Sequence, residues 1–467
     1  MGRIDEEPLG APQGGQAPLW LRVGAAGVFL LALVVRLYPA IRFPEPYRHG
    51  RGPFGDTLVY HTIAFNLYKG HGYSATPGRD TFGDDLQDRS IEYRPAIFRA
   101  PAYPLFLSII YRIWGNPSET LTRDAWRAIW QKVRLIQCVL DACVCLLVLV
   151  VVRTVSSTPA WMSLIAAALY AVCPYPIYYT RALLTETLTT FLMAVFLLIS
   201  LLALKHRRLW RLGLAGVAFG GVTLSRPEYL LFAPVVALSL MFLNRRDPRT
   251  GIAQSVAYAL GAVLVISPWT IRNSLVFKKP ILISAGGWGG NLYFGAVLTR
   301  ENWSWWWRQQ YPDHLFLDEE ERRLFLDYNT RYLTTLIDGT LEEINERDKA
   351  FFQLTVRRLQ KAPLLTVKRW IVKIPRLWYL DSIPFYRDRE ASGAFVLLSL
   401  IVAAFAFVSA PPATRAPMAL VWLLMIYLTV LLIPFHVESR YSVPLMPGLI
   451  SLAALGLGTA WVRVTRW

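Results

Sequence analysis

An all-α, polytopic membrane protein is what this sequence predicts, and three observations predict it. Hydrophobic residues fill 54% of the 467 positions and charged residues only 17%, with a mean hydropathy of +0.35. Globular chains carry about 25% charged residues. The apolar residues fall in blocks of roughly 15 to 22, the length that crosses a hydrocarbon core. Finally, Lys and Arg collect in short loops between alternate blocks, as cytoplasmic loops do. The same composition excludes disorder, and four cysteines are too few for a secreted disulfide scaffold.

Spans are expected at 20–38, 133–152, 159–178, 183–204, 211–225, 227–243, 252–271, 393–410, 416–435 and 442–462. Two polar regions, 39–131 and 272–392, interrupt them, and neither is repetitive or low in complexity. The chain therefore reads as an N-terminal transmembrane module over 1–271, which includes the first outer loop 39–131, then a large outer loop region over 272–392 and C-terminal helices over 393–467. Met1 to Pro18 is polar and lacks the basic n-region and small-residue cleavage site of a signal peptide, so the first block is expected to stay as an anchor.

Pro101–Trp114 (PAYPLFLSIIYRIW) is apolar but short, with prolines in its first turn. That fits a helix lying at the interface better than one that spans. With this assignment Arg153–Thr158, Lys205–Arg211, Asn244–Arg249, Pro411–Arg415 and the end with Arg463 and Arg466 all share one side. The positive-inside rule makes that side cytoplasmic. Both termini are then cytoplasmic, and both large polar regions face outside. The compact chain points to a plasma (inner) membrane. The formal charge of +17 arises from these loops, with no basic stripe on a soluble domain, so nucleic acid is not an expected partner. Cys138, Cys143, Cys145 and Cys173 all fall inside spans and read as small apolar residues; no metal site is expected from them.

Candidate chemistry gathers at the outer ends of the spans. Asp56 opens GDTLVYHTIAFNLYKGHGYS, where Tyr60, Ala64 and Leu67 recur at helical spacing, so it begins an amphipathic helix. A helix cap accounts for it as well as catalysis does, and the two are compatible. Glu186, in TRALLTETLTTFL, stands two or three residues into an apolar span. A carboxylate there is costly unless it faces a polar cavity, although an interfacial cap is the simpler alternative. Arg99 precedes the interfacial helix in RAPAYP, and Arg226 (SRPEY), Arg272 (PWTIRN) and Arg440 (HVESRY) close the outer ends of spans. Snorkelling explains arginine at such places, but it does not require the neighbouring Glu228, Asn273, His436 and Glu438. Acids and guanidiniums on one face suit an anionic, phosphate-bearing ligand.

Asp141 lies deep in the second span with no charged neighbour in its own helix, and needs a partner. Trp303, Trp305, Trp306 and Trp307 form an aromatic patch suited to sugar stacking or to an interfacial anchor. No Walker A loop, strand-to-helix GxGxxG, HExxH or GxSxG motif occurs.

Taken in order, these pieces resemble the GT-C glycosyltransferases, the branch that includes protein O-mannosyltransferases and lipid A aminoarabinose transferases. The resemblance runs from Asp56 to about Met446. It rests on the acid opening the first outer loop, then RAPAYPLFL, LLTETLTTFL, LSRPEYLL, SPWTIRN with GGWGGNLYFGA, and HVESRYSVPLMP. It implies a GT-C-like bundle of about ten transmembrane helices with amphipathic helices in the outer loops. It also implies a polyprenyl-phosphate-linked sugar as donor, inverting transfer, and reaction on the outer face of the membrane. Asp56 then matches the catalytic base, Glu186 the second acid and Arg99 the residue that contacts donor phosphate. Thr57 follows Asp56 where the protein mannosyltransferases carry a second acid, so a lipid, a glycan or a protein remains open as acceptor.

The chemistry is coherent on its own terms. A base must reach the acceptor hydroxyl. The leaving lipid phosphate needs cations more than a general acid, a role for Arg99 with Arg272 or Arg440. Tyr60, Arg226, Glu228, Asn273, His436 and Glu438 are candidates to line the substrate site. No cofactor is expected, and a divalent metal is possible but not required. The competing class is a transporter or flippase of a lipid-linked or anionic substrate. Such folds show paired repeats and broken spans that meet at mid-membrane.

Overall fold

The computed structural model describes residues 18–43, 55–76, 92–115, 123–155, 159–206, 208–298, 313–331, 339–380 and 389–465. It is helical almost throughout. In chain order the elements are α1 (Leu19–Arg42), α2 (Gly55–Lys69), β1 (Ser74–Ala75), β2 (Arg94–Pro95), α3 (Ala102–Trp114), α4 (Arg123–Val155), α5 (Ala160–Ala171), α6 (Pro174–Tyr179) and α7 (Glu186–His206). They continue with α8 (Leu209–Ser225), α9 (Phe232–Leu243), α10 (Pro248–Phe277), α11 (Trp288–Val297), α12 (Glu319–Arg331), α13 (Leu341–Lys361) and α14 (Pro363–Ile371). The chain closes with α15 (Arg389–Ser409), α16 (Pro412–Leu432) and α17 (Met446–Thr465). Among the described residues the strands form one antiparallel pair, Ser74 opposite Pro95 and Ala75 opposite Arg94.

Among the described residues six helical segments are long and apolar enough to cross a membrane: Leu19–Arg42, Arg127–Val155, Glu186–His206, Pro248–Phe277, Ala391–Ser409 and Ser439–Gly458. The remaining expected spans are shorter apolar helices, Ala160–Ala171, Leu209–Ser225, Pro227–Leu243 and Pro417–Leu432. The expected span 159–178 is broken. Its helix stops at Ala171 and restarts at Pro174, because Pro174 supplies no N–H to continue the ladder. The span expected at 227–243 opens with a 3₁₀ turn, Pro227–Tyr229, and its α-helix begins at Phe232. α3 forms as a separate short helix. It buries Tyr103, Leu107, Ile110 and Tyr111 and exposes Leu105, Ile109 and Ile113 in a row at helical spacing.

The first-loop helix is not amphipathic. No residue of α2 between Asp56 and Lys69 is exposed, because α3 packs along it, and His61 and Asn66 find partners inside. His61 Nδ1 lies 3.0 Å from the Tyr111 hydroxyl, and the Asn66 amide donates to the Ser74 carbonyl at 2.9 Å.

The break after Ala171 explains the buried acid of α4. Arg36 and Asp141, 0% and 1% exposed, pair at 2.5 Å, and the Tyr170 hydroxyl donates to the other Asp141 oxygen at 2.7 Å. The Arg36 guanidinium also donates to the carbonyls of Ala171 (2.8 Å) and Tyr170 (3.4 Å), where the helix ends. One ion pair thus ties α1, α4 and α5 together and covers backbone acceptors left by the break.

Glycine sets the closest helix contact. A Cβ on Gly216 of α8 would lie 2.0 Å from the Tyr258 carbonyl oxygen, and one on Gly261 of α10 would lie 2.0 Å from that of Gly213. Small residues let the two backbones touch, as in other membrane helix pairs. Outside the main bundle, Tyr293, Phe294, Phe325, Phe351 and Leu354 form a second apolar core between α11, α12 and α13. The buried pair Glu321–Arg358 (2.5 Å) closes that core.

Asp141→Leu alone strands a buried guanidinium and is expected to cost about 3–5 kcal/mol. Thermal unfolding in detergent reads the loss, and adding Arg36→Met should restore part of it. No recovery would show that the bonds to the Ala171 and Tyr170 carbonyls carry the stabilisation.

Candidate active site

Five chain segments deliver charge to one place. Asp56 is the second residue of α2, and Arg99 sits in the irregular stretch after β2. Glu186 is the first residue of α7, not a residue inside it, so its carboxylate sits at the positive end of the helix dipole. Arg226 and Glu228 follow α8, where Pro227 ends the helix, and Glu438 and Arg440 enter the 3₁₀ turn before α17.

The geometry centres on Asp56 and Arg440. Arg99 Nη2 donates to Asp56 Oδ1, and Arg440 Nη1 donates to Asp56 Oδ2 at 3.0 Å. Arg440 Nε pairs with Glu438 Oε2 at 2.8 Å and lies 3.9 Å from Glu186 Oε1. Arg226 approaches the same Glu186 oxygen at 3.9 Å and pairs through Nε with Glu228 Oε1 at 2.7 Å. Glu186 is 1% exposed, and its Oε2 has no hydrogen-bond partner. Asp56, by contrast, is 27% exposed, much as Glu228 and Glu438 are.

These pairings fix protonation outside the spans. Burial pushes the Asp56 carboxyl up, but the Arg99 and Arg440 guanidiniums outweigh it and hold the group well below the ordinary carboxylate range. Glu438 is likewise raised by burial and lowered further by Arg440 and His436, to about 2. Burial lowers Arg99 and Arg226, yet Asp56 for the first, and Glu228 with Glu186 for the second, raise both above their usual values. Each Asp56 oxygen accepts from one guanidinium.

Aromatic rings frame the cations. The Arg99 guanidinium lies 4.3 Å from the Phe98 ring centre and 5.1 Å from that of Tyr60. Tyr60 is buried, edge-on to Tyr103, so it supports Arg99 from below. Tyr441 stacks between Arg226 (5.0 Å) and Arg440 (5.5 Å). Sequence reasoning passes over Phe98 and Tyr441, although both lie beside arginines that it singles out. It also misses Tyr427, whose hydroxyl donates to the Glu228 carbonyl at 2.5 Å.

His436 is near the cluster but spends its groups on structure. Its ring lies 3.3 Å from Glu438 Oε1, and its backbone N–H donates to the Asn291 carbonyl at 2.8 Å. Lys373 holds the same stretch: its buried Nζ donates to the carbonyls of Gly295 (2.5 Å) and Phe435 (2.8 Å), and burial beside Arg376 lowers it to about 7. No sequence pattern marks Lys373.

Arg272 and Asn273 face a different task. Arg272 donates to the carbonyls of Ala96 (3.1 Å) and Tyr73 (3.0 Å) and to Asn273 Oδ1 (3.0 Å). Asn273 in turn donates to the carbonyls of Ile281 and Ile283. They pin the β1–β2 hairpin and the segment after α10, and their hydrogen bonds do not run to the Asp56 cluster. The tryptophans at 303 and 305–307 lie outside the described residues. Among the described residues no group of three or more His, Cys, Asp and Glu side chains is arranged to hold a metal.

Residues 99–271 match the family described as dolichyl-phosphate-mannose-protein mannosyltransferase. That stretch contains Arg99, Glu186, Arg226 and Glu228. The backbone is similar to that of the archaeal oligosaccharyltransferase AglB from Archaeoglobus fulgidus, solved with an inhibitory peptide and a dolichol-phosphate. The TM-score is 0.54 at 16% identity, over 96% of this chain and 51% of that one. The chain has the GT-C fold.

The apo form of the Archaeoglobus fulgidus oligosaccharyltransferase gives a TM-score of 0.55 at 17% identity, again over 96% of this chain and 51% of that chain. The chain thus spans about half the length of the solved oligosaccharyltransferases it matches. ArnT from Cupriavidus metallidurans, bound to undecaprenyl phosphate, aligns over 96% of this chain and 78% of its own, at 14% identity and a TM-score of 0.35. No curated protein matches the sequence.

Arg272→Gln removes charge-assisted bonds to two backbone carbonyls and is expected to cost about 1–3 kcal/mol of stability. Its binding of polyprenyl phosphate should stay at the parent level. A loss of lipid affinity as large as that of Arg99→Ala, at unchanged stability, would place Arg272 on the phosphate instead.

Proposed function

We propose that this protein is an inverting glycosyltransferase. It moves a sugar from a polyprenyl-phosphate donor to an acceptor hydroxyl on the outer face of the membrane, with both termini on the cytoplasmic side. The observation that carries this reading is a partly exposed carboxylate, Asp56, set between the guanidiniums of Arg99 and Arg440. A base and cations for an anionic leaving group stand side by side, which inverting transfer from a phosphate requires. The matched family description names a dolichyl-phosphate sugar, and the AglB structure holds a dolichol-phosphate.

In this reading the acceptor oxygen attacks the anomeric carbon as its proton passes to Asp56. The new glycosidic C–O bond forms as the bond from that carbon to the phosphate oxygen breaks. The electron pair leaves with the polyprenyl phosphate, whose growing negative charge Arg99 and Arg440 offset. Removing one such donor typically costs about 2.7–4 kcal/mol in the transition state. Glu186, the second acid, is 1% exposed. Lying within 3.9 Å of both Arg226 and Arg440, it fixes the spacing of those guanidiniums. The acceptor, the sugar and the lipid length follow from parts of the site that these charges do not define.

The test incubates purified protein with a panel of polyprenyl-phosphate sugars and native membrane extract, and measures release of free polyprenyl phosphate. The parent should release it, and Asp56→Asn should lower the rate by at least about a hundredfold, the scale of a lost general base. Arg99→Ala should act first on donor use. Full activity of Asp56→Asn would remove the base assignment. No release by the folded parent from any donor would favour a transporter.

A further inference from the structure

The cluster carries more negative than positive charge before any ligand arrives. Asp56, Glu186, Glu228 and Glu438 supply the carboxylates, and Arg99, Arg226 and Arg440 the guanidiniums that pair with them. A lipid phosphate adds a further negative charge. Its affinity for the guanidiniums sets it against the carboxylates that already hold them.

The pairings differ in how readily they yield. Glu186 is enclosed, Glu228 pairs with Arg226, and Glu438 is held by His436 as well as by Arg440. Among the described acids Arg99 pairs with Asp56 alone, and its buried Nε makes no hydrogen bond. Asp56 therefore depends on Arg99 and Arg440, both partly exposed, and Arg99 has a spare donor for an incoming oxygen.

We propose that the donor phosphate and Asp56 compete for Arg99 and Arg440, so that donor binding unmasks the base. This rests on the lipid-phosphate reading above. Before the donor binds, two guanidiniums cover both oxygens of Asp56 and leave it a poor proton acceptor. When the phosphate takes them over, the carboxylate regains its basicity next to the anomeric carbon. The base is thereby switched on only when a sugar is in place, and the donor binds before the acceptor proton is removed.

Binding of undecaprenyl phosphate to the full-length protein in detergent tests this without requiring turnover. Isothermal titration would compare the parent with Asp56→Asn, Asp56→Ser, Glu228→Gln and Arg99→Gln, each checked for folding by its thermal transition. Removing a competing, like-charged acceptor should make Asp56→Asn and Asp56→Ser bind about tenfold more tightly. Arg99→Gln should bind more weakly. Glu228→Gln removes the same charge from the cluster but leaves Arg99 and Arg440 on Asp56, so its gain should be much smaller. Equal or weaker binding by both Asp56 variants would overturn the competition, as would an equal gain in Glu228→Gln, which would reduce the effect to net charge. If neither the folded parent nor any variant binds the lipid, the lipid-phosphate reading itself fails and the competition falls with it.

Discussion

A guanidinium partly withdrawn from water needs acceptors to replace it, and Arg440 finds them in carboxylates. It bonds Asp56 and Glu438 and approaches Glu186, so residues of α2, α7 and the turn before α17 are fixed relative to one another through one side chain. Arg226 extends the network to the end of α8 by sharing Glu186 and by stacking on Tyr441. Removing any one carboxylate would leave a cation short of a partner, so the cluster behaves as a unit.

The helices make that meeting possible. Gly216 and Gly261 bring α8 and α10 into backbone contact, Arg36 and Asp141 bind α1, α4 and α5, and Lys373 ties the Phe435 backbone to α11. Each contact lies away from the reacting groups, yet each limits where a site residue can sit. Helix ends carry Asp56, Glu186 and Arg226, and short turns and the stretch after β2 carry the rest.

Much of this is legible in the sequence, for a definite reason. Charged residues at the ends of apolar blocks are costly, so Asp56, Arg99, Glu186, Arg226, Glu228, Glu438 and Arg440 stand out, and the structure brings them together. The same signal marks Arg272 and Asn273, but a guanidinium that caps backbone carbonyls looks identical in sequence to one that faces a ligand. The partner of Asp141 lies 105 residues away, a separation that no local pattern spans. Pro174 and Pro176 signal the broken span after Ala171, but the unbroken hydrophobicity of the block outweighs them. α2 reads as amphipathic, and is not, because its His and Asn positions find buried partners instead of water.

The most direct measurement is an experimental structure of the protein with undecaprenyl phosphate bound. The phosphate should lie between the Arg99 and Arg440 guanidiniums, with Asp56 freed from at least one of them. A phosphate bound elsewhere, with both bonds to Asp56 intact, would contradict the assignment of this cluster as the donor site.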